Sequence, residues 1–244
     1  MTGVQTCALP IYCILINDIK IIRNTNMFNK IIIYVLVVIT GITSLFAQEQ
    51  EDGSTWGVSC DIYNRYIWRG PDFGTSPSIQ PGLTYTAGNL TLGAWSAWQF
   101  SGQGSENDLY ASYSISDYSI TITDYYFPGI TSLGNFNETA SDTGAHNIEL
   151  SLGGSFSGVG LTAATFVVEP GFYGAFDTGK APMSKYINIS YGTFMLGFGD
   201  GGYTSDGKFA PIEVGVSASN EKYSCSWILN PDSGLAFLVV GKSF

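Results

Sequence analysis

The sequence predicts an all-β fold, an antiparallel up-and-down transmembrane β-barrel of about twelve strands. Three observations predict it. Apolar and polar residues alternate with period two through most of the chain after residue 55, the mark of a strand whose two faces meet different surroundings. The connections between these segments alternate between short and long. Charged side chains make up only 12% of the 244 residues, against 14% aromatic and 30 glycines, and no apolar run after residue 47 is long enough to cross a bilayer as a helix.

The first residues stand apart from that pattern. Residues 2–11 resemble a translated sequencing adapter, and residues 12–26 are rich in Ile and Asn, as translated AT-rich upstream DNA would be. Residues 1–26 are therefore set aside from the fold. From Met27 a three-part export signal follows: cationic Asn29-Lys30, an apolar stretch 31–42, then Thr43-Ser-Leu-Phe-Ala47 before polar Gln48. The apolar core falls short of the roughly 20 residues a spanning helix needs. Residues 27–47 thus read as a cleaved signal peptide and 48–244 as one barrel domain. Removing residues 1–47 takes away Lys20, Arg23, Lys30 and Asp18, leaving 7 basic and 19 acidic side chains, a net charge of −12. Such a surface excludes nucleic acid as a partner, because phosphates demand a basic patch.

The strands are expected at 56–69, 77–87, 90–100, 108–116, 118–127, 146–153, 160–168, 184–191, 193–199, 211–219, 223–230 and 235–244. The second shows the rule. Ile79, Leu83 and Tyr85 share one face and Ser78, Gln80 and Thr84 the other. The fourth alternates Leu109, Ala111, Tyr113 and Ile115 with Tyr110, Ser112 and Ser114; the sixth alternates Ile148, Leu150 and Leu152 with Asn147, Glu149 and Ser151. Near the end, Ile212, Val214 and Val216 alternate with Glu213, Gly215 and Ser217. Phe166-Val-Val168 and Gly197-Phe-Gly199 blur the pattern in the seventh and ninth segments.

Tight links at 88–89, 117, 192 and 220–222, with a looser one at 153–160, alternate with long ones at 70–76, 101–107, 128–145, 169–183 and 200–210. A membrane barrel has short turns at its periplasmic end and long loops outside. A soluble sandwich has no reason to gather its short turns at one end. The apolar faces would meet outer-membrane lipid, since hydrocarbon tolerates only closed sheets or helices. Aromatics near strand ends (Tyr66, Trp68, Trp98, Phe100, Tyr125 to Phe127, Tyr191 and Tyr223) would form interfacial girdles. The last strand ends on Phe244, resembling the terminal signal that barrel-assembly machinery recognises. Cys60 and Cys225 fall on strands that the twelfth strand separates, about 9–10 Å apart at ordinary strand spacing, so two free thiols are expected.

Asn64-Arg-Tyr-Ile-Trp-Arg-Gly70, Pro77-Ser-Ile-Gln-Pro-Gly-Leu-Thr-Tyr85, Leu92-Gly-Ala-Trp-Ser96 and Asp108-Leu-Tyr-Ala-Ser-Tyr113 occur in that order. Over residues 56–127 the chain resembles the TorF family of porins. The resemblance implies an outer-membrane channel without a defined substrate. The Ala47-Gln48 junction resembles export signals of Bacteroidetes, which are Gram-negative.

On the first strand Asp61, Tyr63, Arg65 and Arg69 share one face by period two. If that face is the lumen, the arginines stand opposite Glu149 and Glu213, and charge ladders of this kind select ions. If not, they sit at the rim or satisfy a neighbouring carboxylate. Gln80, Trp95, Tyr110 and Gln99 either line the same lumen or pack it shut. His146 is the single histidine, with Asp142 and Glu149 near it in sequence but no G-x-S-x-G or metal-spaced ligand set. Catalysis is therefore not expected, nor a cofactor or metal. Asp200-Gly-Gly-Tyr-Thr-Ser-Asp206 reads as an external turn, since it lacks the spacing of a calcium loop. The expected function is passive diffusion of small hydrophilic solutes or ions across the outer membrane. The alternative is a closed barrel with a structural or surface-binding role, and a third, ranked below both, is a barrel hydrolase using His146.

Overall fold

The computed structural model describes residues 54–102, 105–128, 133–134, 144–170 and 183–244. The upstream residues and the signal peptide with its cleavage site lie outside them. Twelve strands form: β1 (Thr55–Tyr63), β2 (Ser78–Ala87), β3 (Leu90–Gln99), β4 (Ser105–Ile115), β5 (Tyr118–Tyr126), β6 (His146–Phe156), β7 (Val159–Val168), β8 (Lys185–Tyr191), β9 (Phe194–Gly201), β10 (Gly207–Ser219), β11 (Tyr223–Asn230) and β12 (Leu235–Ser243). Each pairs antiparallel with the next, and β12 closes on β1. Closure removes the two edges that an open sheet would leave unpaired.

Links of two or three residues join β2–β3, β4–β5, β6–β7, β8–β9 and β10–β11, all at one end of the barrel. At Ser157-Gly158 both residues take positive φ, 49° and 81°, as the tightest hairpins require. The longer links gather at the other end. The 200–210 link expected from sequence shrinks to 202–206, because β9 and β10 extend into it.

Along the strands most large apolar residues face outward. Val58, Leu109, Leu152 and Leu238 are all more than half exposed, so the barrel has an apolar exterior and a polar interior, the reverse of a water-soluble fold. Trp56, Tyr118, Phe156, Tyr191, Phe194, Tyr223 and Phe244 stand outside near the short-turn end; Trp98, Phe100 and Phe209 stand outside near the other. Cys60 and Cys225 are free thiols.

Three expectations are overturned. β1 stops at Tyr63, not at residue 69, and residues 64–77 turn into the barrel. Tyr66 and Trp68, assigned to outer girdles, therefore pack in the interior, and Tyr125 and Phe127, assigned there too, line the same space from β5 and the residue after it. The third concerns Ile212. A register shift between Pro211 and Glu213 inserts an extra residue and turns Ile212, expected to face outward with Val214, into the interior at 0% exposure. A second shift between β6 and β7, at Ile148 and Glu149, accounts for the blurred alternation at Phe166. Phe166, Tyr186, Tyr203 and Ile212 form the buried apolar cluster, with Trp68 and Tyr125 packed against it. The core thus lies inside the barrel.

The β1–β12 seam has a short ladder, Asp61↔Ser243 to Tyr63↔Gly241. Asn64 extends it with its side chain. The amide donates to the Leu238 carbonyl at 3.0 Å and accepts from the Val240 N–H at 2.8 Å, standing in for one more residue of strand.

Candidate functional site

The site is the barrel interior, and residues 64–77 shape it. Within them Trp68 N–H donates to the Pro71 carbonyl at 3.0 Å and Phe73 N–H to the Tyr66 carbonyl at 2.8 Å. Ile67 and Asp72 bridge, so the segment is a miniature hairpin. Its tip is Arg69-Gly70, with φ of 54° and 97°, the double left-handed pair of a type I′ turn. For Gly70 that conformation is easy. For Arg69 it costs about 1–3 kcal/mol, so something at the tip must hold it there.

What holds it is an ion pair. Arg69 Nη2 donates to Glu149 Oε1 at 2.9 Å, while Nη1 donates to Glu149 Oε2 and to the Tyr203 hydroxyl. The Tyr125 hydroxyl donates to Glu149 Oε1 at 3.3 Å. The guanidinium carbon lies 4.4 Å from the ring centroids of both Trp68 and Tyr186, within cation–π range. The other interior acid near the tip, Glu213, accepts from the Tyr186 hydroxyl at 2.6 Å. Gly70 lies so close to β10 that a Cβ there would stand 2.0 Å from the Ile212 carbonyl oxygen.

The hairpin divides the interior into two chambers that share Tyr66 and Trp68 as walls. The loop-side chamber measures about 550 Å³ and is lined by Asp72, Phe73, Gln99, Glu106, Glu169 and Tyr203, among others. The turn-side chamber measures about 310 Å³, with Trp95, Asp108, Tyr110 and Tyr125 in its walls. Among the described residues, the loop-side chamber is lined by three carboxylates (Asp72, Glu106 and Glu169), the turn-side chamber by one (Asp108), and neither by Lys or Arg.

Arg69 and Glu149, placed opposite each other from sequence, meet. Arg65 does not join them; it pairs with Asp72 at 3.3 Å across the base of the hairpin, because β1 ends before it. Asp61 shares the inward face of β1 with Ser59, which lines the turn-side chamber, and lies in register with Gln80. Gln80 is buried and donates to Ser78 Oγ at 3.0 Å. Trp95 walls the turn-side chamber. Gln99 donates to the Phe73 carbonyl and so braces the hairpin. Glu213 lies beside Tyr186.

Several interior groups escaped the sequence reading. Glu106 and Asp108 sit on the inward face of β4 with Tyr110; the spacing was legible, but the expected strand began at 108 and left Glu106 in a link. Glu169, just past β7, accepts from the Ser184 N–H and hydroxyl at 2.7 Å each. Burial pushes its carboxyl above the ordinary carboxylate range, while the Ser184 hydrogen bonds pull the other way. Nothing local marks Glu169 or Tyr203 as interior residues.

His146 is held by a different set of contacts. Its Nδ1 faces Asp124 Oδ1 at 2.9 Å, its Nε2 faces the Leu133 carbonyl at 2.8 Å, and its ring stacks on Tyr126 at 4.7 Å. Both nitrogens are thus engaged in joining β5, β6 and the 127–145 link, and Asp142 lies outside the described residues. No protein-family model and no curated sequence matches the chain.

Proposed function

We propose that the chain is a porin-type barrel of the outer membrane that passes small hydrophilic solutes, with a preference for cations, through a lumen narrowed by the hairpin 64–77. One observation carries this reading. Two chambers, one holding Asp72, Glu106 and Glu169 and the other Asp108, lie in one barrel, parted by Tyr66 and Trp68 from a single inserted segment. A barrel built only as a scaffold would gain more from an apolar filling than from buried acids, each of which costs free energy unless compensated. The apolar exterior with aromatics at both ends supports membrane insertion. The resemblance of residues 56–127 to the TorF family supports the same assignment.

The packing at the hairpin tip favours a second reading, a closed barrel that works through its outer links. Arg69, Glu149, Tyr203 and Trp68 leave little room beside Phe166 and Ile212. Planar-bilayer conductance across a salt gradient separates the two. The channel reading expects small, reproducible current steps, a reversal potential on the cation side and larger steps for Trp68→Ala. Silence from folded protein, in the wild type and in Trp68→Ala alike, would leave the closed barrel.

A further inference from the structure

We propose that the turn-side chamber binds a small organic ammonium ion, with Asp108 as counter-charge and Tyr66, Trp68, Trp95 and Tyr125 as aromatic walls. The strand register sets this arrangement. Asp108 on β4 lies directly opposite Trp95 on β3 and Tyr125 on β5, and all three line the chamber. The hairpin adds the remaining walls. The Tyr66 ring stands 5.6 Å from Trp95, and the Trp68 ring 5.3 Å from Tyr125. Below them Tyr110 lies flat over Gly93, where any Cβ would meet its ring at 2.1 Å. Aromatic faces carry negative potential, and several of them around one space with a carboxylate make a site for a weakly hydrated cation.

Asp108 has the unmet need such a site requires. It is 6% exposed, and among the described residues its Oδ1 has no hydrogen-bond partner. The cation of the neighbouring layer, Arg69, is committed to Glu149 and Tyr203. The nearest charged group on the same face of β4 is Glu106, a second acid, which makes the lack of positive charge worse.

The chemistry of the walls selects among cations. Asp108 is, among the described residues, the single carboxylate lining this chamber, whereas calcium takes six to eight oxygen ligands. Among the described residues no three His, Cys, Asp or Glu side chains converge as a metal site. A neutral solute would give Asp108 no cation to pair with. An alkylammonium ion meets both the charge and the aromatic faces, and a chamber of about 310 Å³ holds one of choline size.

This inference deepens the channel reading by naming the solute class that lodges beside the constriction, and it rests on that reading only for the route of access. The test is calorimetric titration of the full chain, folded in a maltoside micelle that carries no ammonium group, with choline and with its neutral isostere 3,3-dimethylbutan-1-ol. Choline is expected to bind saturably and at least tenfold more tightly than the isostere. Asp108→Asn, which keeps the shape of the side chain, is expected to weaken choline at least tenfold. Trp95→Leu should do so as well, and it decides the matter if Asp108→Asn fails to fold. No choline binding by folded protein, equal binding of the isostere, or unchanged binding in the folded variants would overturn the proposal. So would calcium binding, lost in Asp108→Asn, without choline binding. Current without choline binding sinks this site and leaves the channel; choline binding without current sinks the channel and leaves the site.

Discussion

Arg69 and Glu149, 80 residues apart in sequence, form a buried, two-pronged ion pair between the tip of an inserted hairpin and the wall of the barrel. Their side chains are 12% and 2% exposed. At that burial, removing one partner strands the other charge, which costs about 3–5 kcal/mol, whereas replacing both with apolar groups of similar size is far milder. Arg69→Ala is therefore expected to destabilise the barrel more than Arg69→Met combined with Glu149→Leu. Denaturant unfolding in lipid vesicles, followed by tryptophan fluorescence, measures both. A double variant as unstable as the single would show that the pair does not act as a unit.

Gly70 tests the seating of the hairpin. Its φ of 97° and its contact with the Ile212 carbonyl leave no room for a methyl group. Gly70→Ala should cost at least about 1–3 kcal/mol from backbone strain alone, and more from the clash. Gly88, also left-handed at φ 56°, has nothing within 4 Å of a built Cβ. Gly88→Ala should therefore cost only the left-handed backbone strain, about 1–2 kcal/mol. Equal losses in the two variants would mean that the hairpin tip is not wedged against β10.

Asn64 tests the seam. Asn64→Ala removes a donor and an acceptor that pair with Leu238 and Val240, for an expected loss of about 1–3 kcal/mol. Asn64→Asp keeps the acceptor for Val240 N–H but presents a second acceptor to the Leu238 carbonyl, so it should not restore the wild-type level. Resistance of the folded band to heating in detergent gels reports the order.

The outward face tests the solvent. Leu150, on the apolar exterior near the middle of β6, is 39% exposed. In water, Leu150→Arg would be nearly neutral. In a bilayer it should cost about 2–4 kcal/mol, falling toward 0–1 near the interfaces. Folding free energies in vesicles for arginine at 150 and at Phe156, beside the 157–158 turn, give that depth profile. A flat profile would argue against membrane insertion.

Glu169 predicts a pH dependence. Its folded carboxyl holds its proton more tightly than the unfolded chain does, so the stability it contributes is complete below the ordinary carboxylate pKa. That contribution is lost as pH rises through the raised folded value. Glu169→Gln should flatten this fall while keeping a partner for Ser184. Urea unfolding of both proteins from pH 4 to pH 8, at roughly one-unit steps spanning the ordinary carboxylate range, compares the slopes; parallel slopes would remove Glu169 as the cause.

The alternation of Leu109, Ala111 and Tyr113 with Tyr110 and Ser112, and its counterparts along the chain, sufficed to determine twelve strands, most of their inward and outward faces and the end where the short turns lie. A strand needs only its own residues to state which side is apolar, so this information is local. The pairing of Arg69 with Glu149 was legible only as two charges on inward faces. Its geometry was not, because Asn64-Arg-Tyr-Ile-Trp-Arg69 reads as more strand until the Arg69-Gly70 turn folds it back. The inward turn of Ile212 likewise follows from a bulge set by pairing with β9. Period two names the surfaces of a barrel, but what fills the enclosed volume depends on residues drawn together from β4, β6, β8 and β10, and only closure of the sheet brings them within reach.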